Sequence, residues 1–130
     1  MRQPLIIEAA INGPTPKAMN PHVPRTVPEI VSSALACIDA GAANVHNHND
    51  DGLLEGRHAT EPYADAWTAI YARHPAALLY PTMGSGGPRT HIRERYAHVE
   101  ELADAGLLRI AIIDPGSVSL GPLDADGLPM

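Results

Sequence analysis

The sequence has 130 residues, a net charge of −6 and one cysteine, Cys37, which excludes an intrachain disulfide. Its acidic balance argues against binding to nucleic acid or to an anionic membrane, because both partners require a basic protein face. No segment has the length of a transmembrane helix or the pattern of a signal peptide, so we expect one cytoplasmic domain.

Four apolar segments alternate with three amphipathic segments along the chain. Residues 4–12 predict a first strand that is buried on both faces, because the run is almost continuously apolar. A long proline-rich loop follows, and the capping box of Thr26 and Glu29 opens a helix that Gly41 ends. The later elements are, in chain order, a strand over 43–48, a helix capped by Thr60 with the apolar stripe Tyr63, Trp67, Ile70 and Tyr71, a strand over 76–82, a helix between Thr90 and Gly106, and a strand over 108–113.

The order β-α-β-α-β-α-β predicts an α/β fold with a parallel sheet and helical crossovers. Four such strands form either an open doubly wound sheet or half of a (βα)8 barrel. The glycine motif of dinucleotide-binding proteins and the phosphate-binding loop motif are both absent from the sequence. Their absence argues against a nucleotide-binding open sheet.

His46 and His48 are the most specific chemical feature of the sequence, at the end of the predicted second strand. Because side chains alternate along a strand, both imidazoles project to one side and can converge on a zinc ion. Barrels and open α/β sheets both place active sites at this carboxyl edge. The alternative is a histidine pair that only forms hydrogen bonds at a polar strand end. The nearest acids, Asp50, Asp51 and Glu55, are also typical of a solvated loop.

Further candidate residues lie at the same edge. The glycine-rich loop 84–87 can offer backbone N–H groups to an anion at a helix N-terminus, or it is an ordinary flexible connection. Asp114, after the fourth strand, either contacts a substrate or forms a turn. Glu8 and Asn12 share one face of the first strand. The other histidines, expected on the solvated surface, are His22, His58, His74, His91 and His98.

Three segments of the sequence resemble the β-keto acid cleavage enzymes, whose founding activity is 3-keto-5-aminohexanoate cleavage. They are residues 4–13, PLIIEAAING; residues 36–52, ACIDAGAANVHNHNDDG; and residues 114–121, DPGSVSLG. The resemblance implies that the chain, as one partial domain over residues 1–130, forms the first four strands of a (βα)8 TIM-type barrel. It also implies a homo-oligomer.

The resemblance implies a reaction and a site as well. A β-keto acid is condensed with acetyl-CoA to give acetoacetate and a new CoA thioester, and His46 and His48 are the zinc ligands. The substrate-binding residues that it implies are Thr82, Gly84, Ser85, Gly86 and Asp114. Asp114 stands where the family commonly has asparagine, which leaves the particular β-keto acid open. The family's third zinc ligand, a late glutamate, has no counterpart here, so a second chain or a longer polypeptide would complete the site.

Two other functions stay open. The first is a different metal-dependent barrel hydrolase or lyase, such as the amidohydrolase type. That type carries its His-x-His motif after strand one, whereas a complete βα unit precedes the motif in this sequence. The second is a non-catalytic half-barrel that serves as an assembly module, which would bind no stoichiometric metal and show no turnover.

Overall fold

The computed structural model describes residues 4–49, 59–84, 90–113 and 125–126. Within these ranges, strands and helices alternate along the chain and the strands form one parallel sheet in the order β1-β2-β3. The elements are β1 (Glu8–Ala10), α1 (Val27–Asp39), β2 (Asn44–Asn47), α2 (Glu61–Arg73), β3 (Leu79–Pro81) and α3 (Ile92–Asp104). The predicted α/β fold with helical crossovers is confirmed. No helix among these elements is long and apolar enough to cross a membrane.

The sheet has one apolar face and one polar face, because side chains alternate along each strand. Val45 and Leu79 are fully buried, and they pack into the core formed with the helices. The residues next to them in sequence, His46 and Tyr80, are paired across the sheet and project to the opposite face. The helices therefore pack on one face of the sheet, and His46 and Tyr80 lie on the other face.

Helix α2 supplies the largest part of the hydrophobic core. Tyr63, Trp67 and Ile70 are each 0% exposed, as the predicted apolar stripe requires. The sequence contains no phenylalanine, and the rings of Tyr63 and Trp67 fill the volume between α2 and its neighbours. The Trp67 Nε1–H donates to Asn47 Oδ1 over 2.9 Å, which ties α2 directly to β2.

The helix termini follow the predicted signals at α1 and depart from them at α3. The carboxylate of Glu29 accepts the Thr26 N–H at 3.0 Å, which completes the capping box, and Gly41 turns the chain at φ +101°. Helix α3 is capped by His91 instead of Thr90, since the His91 Nδ1 accepts the Arg93 N–H at 3.2 Å. A histidine nitrogen thus replaces the expected hydroxyl oxygen.

Two strand predictions are wrong in the described residues. The first strand is shorter than predicted and is not buried on both faces, because β1 has β2 as its one described neighbour and Leu5 and Ile6 are 84% and 80% exposed. Residues 108–113 form no described strand, so the predicted four strands are three here. An apolar run becomes a strand only where a neighbouring strand satisfies its backbone groups. The Arg109 guanidinium instead binds the Ala77 carbonyl at 3.1 Å.

His98 was expected on the surface and is fully buried. It lies four residues before Leu102 on α3, which is the spacing that places two side chains on the same helix face. Its ring stacks against Tyr63 at 5.7 Å, and its Nε2–H donates to the Thr82 carbonyl at 2.7 Å. The inward face of α3 is therefore partly polar, and it supports the chain just after β3.

We predict that Trp67→Phe lowers the free energy of unfolding by about 1–3 kcal/mol, because the buried Asn47 side chain loses its indole donor. Urea denaturation followed by circular dichroism measures the change. Tyr71→Phe is the matched control. It removes a hydroxyl donor from the Leu107 carbonyl in a half-buried position, and we expect a loss of about 1 kcal/mol or less. Equal losses in the two variants would contradict the prediction.

Candidate metal centre

His46 is held on the polar face of β2 by the strand beside it. Its ring stacks on Tyr80 with centroids 4.6 Å apart, and its Nδ1 lies 3.3 Å from the Tyr80 carbonyl oxygen. This contact leaves Nε2 as the ring nitrogen that can bind a ligand. Burial lowers the pKa of His46, and the Tyr80 carbonyl and the Glu8 charge offset only part of that effect. The imidazole is therefore neutral near pH 7, as a metal ligand must be.

His48 lies one residue beyond the end of β2, and the structure brings its ring close to that of His46. The two ring centroids are 5.1 Å apart at an interplanar angle of 78°. The main chain of His48 is bound at both polar groups by the Asn12 side chain. The two histidines thus share one face of the sheet, as the His-x-His spacing predicts.

Glu8 forms a small polar cluster next to His46. Its carboxylate accepts the Tyr80 hydroxyl at 2.5 Å and the Asn44 amide at 2.8 Å. The Tyr80 hydrogen bond is the main reason that the pKa of Glu8 is lowered. Burial, together with this carboxylate, raises the pKa of Tyr80 to about 12. At neutral pH the cluster is therefore one carboxylate anion and one protonated phenol beside a neutral imidazole.

The predicted substrate residues on the third strand are only partly described. Continuing the register of His46 with Tyr80 places Thr82 opposite His48 at the sheet edge. Gly84 is buried, its N–H donates to the Arg95 carbonyl at 3.1 Å, and its own carbonyl accepts Arg95 Nε–H at 2.7 Å. The Gly84 N–H therefore serves helix α3 and not an anion. The other predicted substrate residues, Ser85, Gly86 and Asp114, lie outside the described residues.

The donor set fits zinc but does not complete a zinc site. The imidazoles of His46 and His48 are nitrogen donors of the kind that zinc prefers, whereas catalytic zinc usually has three protein ligands. Across residues 4–49, 59–84 and 90–113, no cluster of three histidine, cysteine, aspartate or glutamate side chains could hold a metal. Asp50, Asp51 and Glu55 lie outside the described residues.

Tyr80 and Asn44 are the members of this site that the sequence interpretation missed. Asn44 precedes His46 by two residues, as His48 follows it by two, so these three side chains share a face. The register adds Glu8, opposite Asn44, and Tyr80, opposite His46. The period-two spacing was therefore a usable signal. The cross-strand register was not, because it depends on contacts between segments 34 or more residues apart.

The fold is that of an α/β protein. Its candidate active site is the pair of imidazoles at the carboxyl edge of the parallel sheet, where such proteins place their active sites. The family model for the beta-keto acid cleavage enzyme matches residues 4–125, and the chain belongs to this family of enzymes. This membership confirms the resemblance seen in the sequence.

Two curated relatives support the same assignment. The chain is 41% identical over 83 residues to a 3-keto-5-aminohexanoate cleavage enzyme of Acetoanaerobium sticklandii, which is 62% of this chain and 30% of the relative. It is 54% identical over 98 residues to a 3-oxoadipate:acetyl-CoA acetyltransferase of Cupriavidus necator, which is 73% of this chain and 33% of the relative. The match therefore spans about a third of the length of each relative.

We predict that Tyr80→Phe raises the pKa of the Glu8 carboxyl group, because it removes the hydrogen bond that lowers this pKa most. Carbon-detected NMR titration of the glutamate carboxyl groups measures the shift. Tyr71→Phe, which removes a hydroxyl far from Glu8 in the chain, is the control and should leave the Glu8 titration unchanged. An unchanged Glu8 pKa in Tyr80→Phe would show that the phenol does not stabilise the carboxylate.

Proposed function

We propose that this chain forms the first strands of a (βα)8 barrel in a zinc-dependent β-keto acid cleavage enzyme, a cytoplasmic homo-oligomer. The reaction condenses a β-keto acid with acetyl-CoA to give acetoacetate and a new CoA thioester. The observation that carries the proposal is the adjacent pair of imidazoles, His46 and His48, at the carboxyl edge of the sheet in a chain of this family.

Family membership and the names of the relatives support the substrate class. One relative is named for the cleavage of a keto acid, and the other for acetyl transfer between 3-oxoadipate and acetyl-CoA. The particular β-keto acid is not specified by the described residues, because Ser85, Gly86 and Asp114 lie outside them. We therefore assign the class of substrate, a β-keto carboxylate with acetyl-CoA as its partner, and not one compound.

His46 and His48 would hold the zinc through their ring nitrogens, and the described part of the chain arranges them for that task. The Tyr80 carbonyl engages Nδ1 of His46, which directs Nε2 toward a ligand. Zinc bound there would polarise the keto oxygen of the substrate as a Lewis acid. Glu8 supplies a fixed negative charge near His46, which favours a cation at this end of the sheet.

Thr82 is the described residue that we assign to the substrate pocket. If the register of β2 and β3 continues one residue beyond Asn47 and Pro81, Thr82 stands opposite His48, and its side chain would share the face of the two imidazoles. Its carbonyl accepts a hydrogen bond from His98, and its hydroxyl donates to the Met83 carbonyl over a long 3.4 Å, a contact that a substrate oxygen could replace. A hydroxyl at this point can donate a hydrogen bond to a keto or carboxylate oxygen.

We predict that His46 and His48 bind about one zinc per chain, and that His46→Ala/His48→Ala weakens the zinc affinity at least 100-fold, because it removes both nitrogen donors of the pair. Elemental analysis and competition with a chromophoric chelator measure this. The double variant His22→Ala/His74→Ala removes two histidines outside the site and should bind zinc normally. Retention of zinc by the His46/His48 variant would place the metal elsewhere and contradict the proposal.

Acetoacetate formation from acetyl-CoA and 3-oxoadipate, or another β-keto acid, is the expected activity of the zinc-loaded protein. Thr82→Val should raise KM for the β-keto acid by about fivefold, because one hydrogen bond to the substrate is worth roughly 1 kcal/mol. Steady-state kinetics with acetoacetate detection, together with native mass, test this. Neither zinc binding nor turnover, in the chain alone and in any oligomer it forms, would favour the assembly module over the enzyme. Bound zinc without turnover would contradict the catalytic role and leave the metal site intact.

A further inference from the structure

The Asn12 side chain lies opposite His48 and binds its main chain at two points. The register pairs Ala10 with His46, and two residues further along each strand it places Asn12 opposite His48. The His48 N–H donates to Asn12 Oδ1 at 2.8 Å, and Asn12 Nδ2–H donates to the His48 carbonyl at 2.8 Å. One side-chain amide therefore satisfies both polar groups of the His48 backbone.

This contact replaces a strand partner that β1 no longer provides. The last main-chain bond between the two strands runs from the Ile11 N–H to the His46 carbonyl at 3.1 Å. Beyond it the chain turns away at Gly13, where φ is +60°, and the Gly13 N–H donates to Asn12 Oδ1 at 2.9 Å. His48 lies where the main-chain pairing of the two strands ends, and main-chain groups at such a point are more prone to fray.

The same amide connects His48 to the long first loop. Asn12 Nδ2–H also donates to the Pro24 carbonyl at 3.0 Å. Pro24 lies two residues before Thr26, where the capping box of α1 begins. His46 has no need of such a contact, because it lies inside β2 and is braced by Tyr80. Of the two histidines, His48 is therefore the one whose main chain is held by a side chain instead of by strand pairing.

We infer that Asn12 is a positioning residue, which fixes the His48 backbone so that its imidazole is oriented for metal before any metal binds. This role rests on the proposed zinc site. Groups that hold metal ligands in place typically change metal affinity by about 10–100-fold when they are removed. Asn12 achieves this through main-chain atoms and touches neither the metal nor the imidazole ring.

The test compares Asn12→Ala with Asn20→Ala in the full chain. Asn20 is the matched control, since its side chain also accepts a main-chain N–H, that of His22 at 3.0 Å, but in an exposed turn. Two quantities are measured: amide hydrogen exchange of His48 by NMR in the metal-free chain, and the Kd for zinc by chelator competition. Circular dichroism and Tm show that each variant is folded.

The expected result is His48 amide exchange about tenfold faster in Asn12→Ala, and a zinc Kd about 10–100-fold higher, with both values unchanged in Asn20→Ala. Asn12→Asp keeps the acceptor for the His48 N–H, so slow exchange of that amide should be restored. If Asn12→Ala does not fold, Asn12→Asp serves as the test, because fast His48 amide exchange in this variant would show that the acceptor at residue 12 does not hold the backbone.

A wild-type zinc Kd in a folded Asn12→Ala variant would overturn the inference while leaving the proposed zinc site intact. Unaltered His48 exchange in that variant would overturn it as well, because the Asn12 contact would then not hold the backbone. Absence of zinc binding by the wild-type chain would refute the zinc site itself, and the positioning role would fall with it. Zinc binding by the wild-type chain thus distinguishes failure of the proposed zinc site from failure of the positioning role of Asn12.

Discussion

The parallel pairing of β2 between β1 and β3 is the constraint on which the rest of the described structure depends. Because of this pairing, consecutive residues of one short strand face opposite sides of the sheet. Val45 and Asn47 face the helices, where one fills the core and the other accepts the Trp67 indole. His46 and His48 face the other way and meet Tyr80 and Asn12 from the two flanking strands. Core and candidate site are therefore held by the same hydrogen-bonded ladder, and a change in register would exchange one for the other.

Local signals in the sequence were sufficient for the helices and for the orientation of the histidine pair. A capping box, a glycine in the left-handed region and an apolar stripe are each properties of fewer than a dozen consecutive residues. Strand extent was less predictable. Leu5 and Ile6 form part of an apolar run but lie exposed at the sheet edge, and residues 108–113 have strand composition without a described strand partner. Whether an apolar run becomes a strand depends on neighbours that the run itself does not encode.

The site shows the same division between local and long-range information. The His-x-His spacing predicts two imidazoles on one side, and the structure places them there. The partners that define their chemistry come from distant segments: Tyr80 stacks on His46, Glu8 accepts the Tyr80 hydroxyl, and Asn12 binds the His48 backbone. His98 is a further case: its spacing from Leu102 puts it on the inward helix face, but its ring partners, Tyr63 and the Thr82 carbonyl, come from distant segments.

The bond between Trp67 and Asn47 has a practical consequence for the study of this protein. The chain contains one tryptophan, and its fully buried indole donates to the residue that separates His46 from His48. Tryptophan fluorescence, excited selectively over the four tyrosines, therefore originates from one known side chain, which contacts the residue between the two candidate ligands. Changes in Trp67 emission can therefore report on β2 from the face opposite His46 and His48.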